Sequence, residues 1–392
     1  MPSNEPPKRK LRMALIGGAG NAFIGPVHAV AATLDGRAEL VAGVLSSNPE
    51  RSKAAATQFG IDPERTYGSV NELVDSELRL PEDQRIDFVS IATPNHTHFA
   101  IAKTALGAGF NVVCDKPMTT RVEEAEELVR LVEETGCVFA LTHNYTGYPM
   151  VRQAREMVLS GELGSVQAIR ANYIQGWLRG LQPGVAPSRG TWKDDPEKAG
   201  PSGAMADIGT HAFNLLRFIT DLIPAEISCQ LRTFAPDRQL DDYGHVTIKF
   251  PDGAVGSITV SQVTHGRLND LEIEIDGTKG SIAWRQEQPN ELIVRRFGDP
   301  MQVYERNPMA PFTAAATRRA SRLPGGHPEA FFEAFANIYT DAFDDMVNRH
   351  SGRDYGGTNT IYPNVYDGVE GVRFIENCVG SSRKDGAWLA MM

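Results

Sequence analysis

Residues 11–33, LRMALIGGAGNAFIGPVHAVAAT, decide the reading of the fold. A short, almost continuous apolar run gives way to glycines and then to a stretch with helical spacing. Gly17, Gly18 and Gly20 follow the run, and Gly25 and Pro26 stand at the expected opening of the helix. A chain that turns this tightly from strand to helix can aim free backbone N–H groups at a dinucleotide pyrophosphate. The loop is about two residues longer than a G-x-G-x-x-G pattern. The strand before it and the helix after it therefore carry the reading together with the glycines. Phe23 and Ile24, in the same loop, join Gly17, Gly18 and Gly20 as expected cofactor contacts.

Working outward, the same texture repeats as far as about residue 147. AELVAGVL (38–45), IDFVSIAT (86–93), FNVVCDKP (110–117) and CVFALTHN (137–144) are short apolar runs. THFAIAKTALGA (97–108) and RVEEAEELVRLVEET (121–135) have helical spacing. Strands buried on both faces and alternating with helices predict a parallel, doubly wound sheet. Residues 11–147 are thus expected to form a Rossmann dinucleotide-binding domain, with 1–10 as a polar, disordered tail. Beyond residue 148 helical stretches at 150–164 and 203–220 precede closely spaced strand-like runs at 225–234, 245–250, 254–263, 271–277 and 292–297. That order predicts an α+β domain over 148–392 with an open, largely antiparallel sheet. Residues 298–328 read as irregular, 329–347 and 364–380 as helical.

Composition narrows the class. At 392 residues the chain suits two domains better than one, and a formal charge of −10 gives a field of the wrong sign for nucleic acid or anionic membranes. No apolar stretch is long enough to span a bilayer, and MPSNEPPKRK lacks the apolar centre of a secretory signal. The four cysteines, Cys114, Cys137, Cys229 and Cys378, are widely spaced and fit reduced thiols in a cytoplasmic protein. Neither they nor the histidines show metal-ligand spacing, so no metal site is expected.

In a parallel sheet the chemistry should follow the strand ends. After the second strand, where an acidic residue commonly binds the adenosine ribose of NAD, stand Ser46 and Ser47, with Arg51 beyond. Their neutrality and that arginine leave NADP open beside NAD. The third strand delivers Thr93 and Asn95, with His98 in the next turn, over the expected cofactor. The fourth ends in Asp115-Lys116-Pro117. A lysine there is poorly solvated and suited to hold a substrate oxygen and share in proton transfer. Pro117 restricts Lys116 to extended geometry and suits a cis peptide that aims the side chain. In the second domain Asp207 and His211 lie four apart on a predicted helix, hence on one face. Histidine can take an alcohol proton near neutral pH, and a carboxylate can orient it or bind a neighbouring hydroxyl. Arg179, Arg189 and Lys193 lie in WLRGLQPGVAPSRGTWK (177–193), where they can receive an anionic sugar.

These motifs in this order resemble the Gfo/Idh/MocA oxidoreductases, a family that includes inositol dehydrogenases and glucose–fructose oxidoreductase. The resemblance rests on IGGAGNAFIG (16–25), ATPNHTH (92–98), CDKP (114–117), WKDDP (192–196), DIGTH (207–211) and IDGTKGSI (275–282). Asp115 stands where the family usually has Glu. The resemblance implies that Lys116, Asp207 and His211 are the catalytic set and that Asn144 and Tyr145 lie near nicotinamide and substrate. It also implies a homodimer or homotetramer through the open sheet. The expected activity is hydride transfer between a sugar, glycoside or inositol-like carbinol and NAD(P). Two rivals remain at this stage. One is an NAD-dependent glycosidase that oxidises and re-reduces its substrate, for instance a sulfoquinovoside; the other is a non-catalytic cofactor sensor.

Overall fold

A computed structural model describes residues 9–20, 22–179, 191–355, 357 and 360–391. Residues 1–8 of the expected tail lie outside the described residues, as does Arg189. Arg9, read as tail, forks onto Asp87 with bonds of 2.6 and 2.8 Å. The chain forms two compact units. The first runs through Thr119, resumes over Glu123–Thr142 and includes Phe335–Val369. The second comprises Thr120–Val122, His143–Ala334 and the chain from Glu370.

The first unit is built on β1 (Leu11–Gly17), β2 (Ala38–Val44), β3 (Phe88–Ala92), β4 (Asn111–Cys114) and β5 (Phe139–Leu141). They lie in the order β2-β1-β3-β4-β5, every pair parallel. Valine, isoleucine and phenylalanine fill the runs, and every residue of β3 and β4 is buried, as a sheet covered on both faces requires. The strand order reverses between β1 and β3, and ligands of such sheets bind outside the carboxyl ends of the strands at that reversal. Helix Phe331–His350 adds Tyr339 and Phe335, which close over the ring of His28.

The second unit carries β6 (Val166–Ile174), β7 (Glu226–Arg232), β8 (Tyr243–Lys249), β9 (Val255–Ser261), β10 (Asp270–Gly277), β11 (Gly280–Arg285), β12 (Glu291–Arg296), β13 (Gln302–Glu305) and β14 (Leu389–Ala390). Their order is β13-β12-β11-β10-β6-β9-β8-β7-β14, antiparallel throughout except for the parallel pair of β6 with β9. Side chains alternate along the strands: Val246 and Ile248 are buried in β8 while His245 and Lys249 are exposed. Helices Pro149–Leu159 and Thr210–Thr220 bury their apolar faces here, and Phe213 stacks on Phe374 with ring centroids 4.2 Å apart.

Two sequence expectations change. The segment 298–328 is not wholly irregular: it holds β13 and a short helix, Ala315–Arg319. Nor is 203–220 one α-helix, because Met205–Gly209 forms a π-turn before the α-helix begins at Thr210. The buried carboxylate of Asp241 holds the entry to that turn, accepting from the Ser202 hydroxyl at 2.7 Å and from the N–H groups of Gly203 and Met205 at 2.8 and 3.0 Å.

Candidate active site

In the first unit the loop after β1 is shaped for close backbone approach. Gly17, Gly18 and Gly20 have φ of 95°, 96° and 72°, which L side chains rarely adopt. A Cβ on Gly17 would lie 2.5 Å from the Ala92 carbonyl oxygen, and one on Gly25 would lie 2.3 Å from the Gly18 Cα. Gly25, outside the predicted contacts, therefore lets the helix press against the loop. Gly20 has nothing within 4 Å of the position a Cβ would take. Helix Ile24–Thr33 begins at Phe23 with no side-chain cap and no acidic residue in its first turn. Its leading N–H groups and positive dipole end thus suit an anionic group in that open space. At the end of β2 the Ser46 hydroxyl accepts from the Asn48 N–H at 3.2 Å, while Ser47 and Arg51 are exposed.

The ends of β3 and β4 are tied together by His98. Its Nδ1 lies 2.8 Å from the Pro117 carbonyl oxygen and its Nε2 2.8 Å from that of Thr93. Burial pushes its pKa down, against an opposing pull from Asp115. Both ring nitrogens face backbone carbonyls, and the neutral ring donates to one of them, so His98 sits between the two strand-end loops. The Thr93 hydroxyl accepts from the Thr97 hydroxyl at 2.7 Å, and Asn95 is buried in the turn Asn95–Thr97. The Lys116–Pro117 peptide is cis. One oxygen of Asp115 accepts from the Lys116 N–H at 2.9 Å and from the Thr142 hydroxyl at 3.1 Å. This fixes the lysine's backbone, and the Lys116 side chain is half-buried.

In the second unit His211, 8 % exposed, stands among aromatic rings. Tyr145, His143 and Tyr173 have centroids 4.8, 5.2 and 6.2 Å from it. The Nδ1 atoms of His143 and His211 are 3.3 Å apart. Behind them the Tyr145 and Tyr173 hydroxyls meet at 2.5 Å. Tyr173 donates to Asn269 Oδ1 at 2.8 Å, and Asn269 Nδ2 donates to the Tyr145 oxygen at 3.2 Å. Tyr173 has one proton and gives it to Asn269, so Tyr145 donates to Tyr173 and the three groups close a ring. Burial raises the pKa of both phenols, which keeps them protonated. The Tyr145 hydroxyl is thus spent on protein partners, and its ring walls in His211.

Asp207 lies four residues before His211. One oxygen pairs with Lys193 Nζ at 2.9 Å and the other accepts from Gln262 at 2.8 Å. The Lys193 and Asp207 side chains are 34 % and 25 % exposed, so this pair is reachable by a polar ligand. Arg179 instead donates to the Val263 carbonyl, which ties down its own loop. Asn144 is 3 % exposed, and its Nδ2 has no hydrogen-bond partner among the described residues. No group of three or more His, Cys, Asp or Glu side chains among the described residues could hold a metal ion. The sequence reading passed over His143, Tyr173, Gln262 and Asn269. They come from four separated stretches, and only the register of β6, β9 and β10 brings Tyr173, Gln262 and Asn269 to one end of the sheet.

Comparison with known proteins identifies the family. Residues 11–143 match the Gfo/Idh/MocA oxidoreductase model with an NAD-binding Rossmann fold, and 151–283 match the C-terminal domain of the same family. An inositol dehydrogenase homolog from Azotobacter vinelandii, complexed with NAD+, is 33% identical with a TM-score of 0.91, covering 98% of both chains. An inositol dehydrogenase homolog from Azotobacter vinelandii complexed with NADH and myo-inositol is 32% identical with a TM-score of 0.88, covering 98% of this chain and 99% of that one. Levoglucosan dehydrogenase from Pseudarthrobacter phenanthrenivorans is 31% identical over 74% of this chain and 77% of its own length. The chain belongs to the Gfo/Idh/MocA family and is an oxidoreductase with an NAD-binding Rossmann domain.

Proposed function

We propose that this enzyme oxidises a carbinol of a sugar or inositol-like polyol, with Lys116, Asp207 and His211 handling the hydroxyl. The observation that carries the reading is His211, a nearly buried imidazole locked among three rings, four residues on from Asp207, whose pair with Lys193 is polar and partly exposed. Relatives complexed with NADH and myo-inositol, or named for levoglucosan, support the substrate class. His211 takes the hydroxyl proton; Lys116 donates to the same oxygen and stabilises its developing charge. Asp207, already accepting from Lys193 and Gln262, presents a fixed carboxylate to a neighbouring hydroxyl. Bound nicotinamide supplies the hydride acceptor. The open space at Gly20, the helix opening at Ile24 with no acidic residue in its first turn, and the Asn144 Nδ2, without a hydrogen-bond partner among the described residues, are the features that suit NAD, with Ser46, Ser47 and Arg51 also compatible with NADP. We place the enzyme in the cytoplasm, in keeping with four buried free cysteines, and propose a homodimer or homotetramer.

The test is to follow NADH formation with myo-inositol, levoglucosan and a chromogenic glycoside. Lys116→Ala and His211→Ala should each lower turnover by about 10²–10⁴-fold while leaving the Kd for NAD unchanged. Near-normal turnover in either variant contradicts the assignment. Release of the aglycone without accumulation of NADH would contradict net oxidation.

A further inference from the structure

His143 opens a turn buried along its length: His143, Asn144, Tyr145 and Thr146 are 2, 3, 4 and 0 % exposed. The His143 carbonyl accepts from the Thr146 N–H at 3.2 Å and from its hydroxyl at 2.9 Å. A Cβ on Gly147, at the other end of the turn, would lie 2.0 Å from the Ala334 carbonyl oxygen, so the turn is pressed onto neighbouring backbone and cannot drift. From this anchor the His143 ring meets His211 edge-on, with ring planes at 85° and Nδ1 facing Nδ1 at 3.3 Å.

Two nitrogens that face each other across a hydrogen bond share one proton. If His211 keeps its proton on Nδ1, its lone pair is on Nε2. If His143 is the donor, His211 carries its proton on Nε2 and has no lone pair there for a hydroxyl proton. A base acting through Nε2 therefore needs an acceptor at Nδ1. The same contact serves after proton uptake, because the imidazolium still donates from Nδ1 to the unprotonated Nδ1 of its neighbour.

We propose that His143 is a positioning residue that accepts the Nδ1–H of His211 and so reserves Nε2 for the substrate proton. This rests on His211 being the base, as read above. Tyr145 complements it from the side, holding the ring at a centroid distance of 4.8 Å and an angle of 79°.

The tautomer can be read without any turnover, by ¹⁵N NMR of the full chain with labelled histidine, His211 being assigned by its loss in His211→Ala. The expected result is His211 protonated at Nδ1 in the native chain, with Nε2–H gaining population in His143→Phe, which keeps a ring but removes the acceptor. With myo-inositol and NAD+, His143→Phe should lower kcat by about 10–100-fold at unchanged KM. His143→Asn, whose Oδ1 can accept near the same place, should restore most of that loss. An Nε2–H tautomer in the native chain, or one that does not change in His143→Phe, overturns the proposal. So does a loss in His143→Asn equal to that in His143→Phe. Normal turnover in His211→Ala would instead remove the base assignment, and the NMR result tells the two failures apart.

Discussion

At His211 the side chain's usefulness comes from neighbours that lie far off in sequence. Tyr145 illustrates how ring and hydroxyl contribute separately. Tyr145→Phe keeps the wall against His211 but opens the closed ring of hydrogen bonds, leaving Asn269 Nδ2 without its acceptor. A half-buried donor left unpaired costs about 1 kcal/mol, so urea unfolding should show that loss with turnover largely kept. Tyr145→Ala removes the wall as well, should cost about 3–5 kcal/mol, and should lose turnover because His211 is no longer held. Equal turnover in the two variants would contradict a positioning role for the ring. Lys116, Asp207 and His211 were legible in the sequence because strand ends and short motifs mark them. For His98 the strand-end position is visible in ATPNHTH, whereas the carbonyls of Thr93 and Pro117 that face its ring are visible only in the fold.

Among the elements, the loop from β1 into helix Ile24–Thr33 depends on two kinds of glycine. Gly25→Ala drives a Cβ to 2.3 Å from the Gly18 Cα, so backbone must shift. It should cost about 1–3 kcal/mol and weaken NAD binding at least about tenfold, measured by thermal unfolding and calorimetric titration. Gly20→Ala meets no atom but must hold φ of 72°, and should cost only about 1–2 kcal/mol before NAD is added. The same helix places His28 against Tyr339 at 2.6 Å and Ser90 at 2.9 Å. Burial lowers its pKa from 6.5 to about 4, with Asp115 pulling the other way. The unfolded chain therefore binds the extra proton first, and this contribution, present above pH 6.5, is lost as the pH falls towards about 4. Denaturant midpoints across that window should fall with pH, and His28→Gln should flatten the slope by about 1.4 kcal/mol per pH unit. The parallel strands were legible because they are uniformly apolar. β6 was not: Gln167, Arg170 and Asn172 interrupt VQAIRANYI, and its apolar half shows only once β9 and β10 flank it. The π-turn at Met205–Gly209 was hidden too, since Asp241, which holds its entry, lies more than thirty residues downstream.

For the whole molecule, the exposed side of the second unit's sheet carries an ion-pair ladder, including Arg285 with Glu272 at 2.7 Å and Lys249 with Glu226 at 3.1 Å. If copies associate through that side, light scattering should report a dimer or tetramer at low salt, loosening as salt screens the ladder. A monomer at every concentration would contradict the proposed assembly. The net charge is −10, and no helix among the described residues is long and apolar enough to cross a membrane. Hydride transfer from a polyol carbinol, with His211 taking the hydroxyl proton, can be followed with an isotope. The most direct measurement uses myo-inositol deuterated at its carbinol carbons, with NAD+ and the native or His211→Ala chain. The native enzyme should place one deuterium on the nicotinamide ring of each NADH formed, as read by mass spectrometry, and His211→Ala should place almost none. Deuterium transfer by His211→Ala at the native rate, or NADH formed without deuterium, would contradict the account.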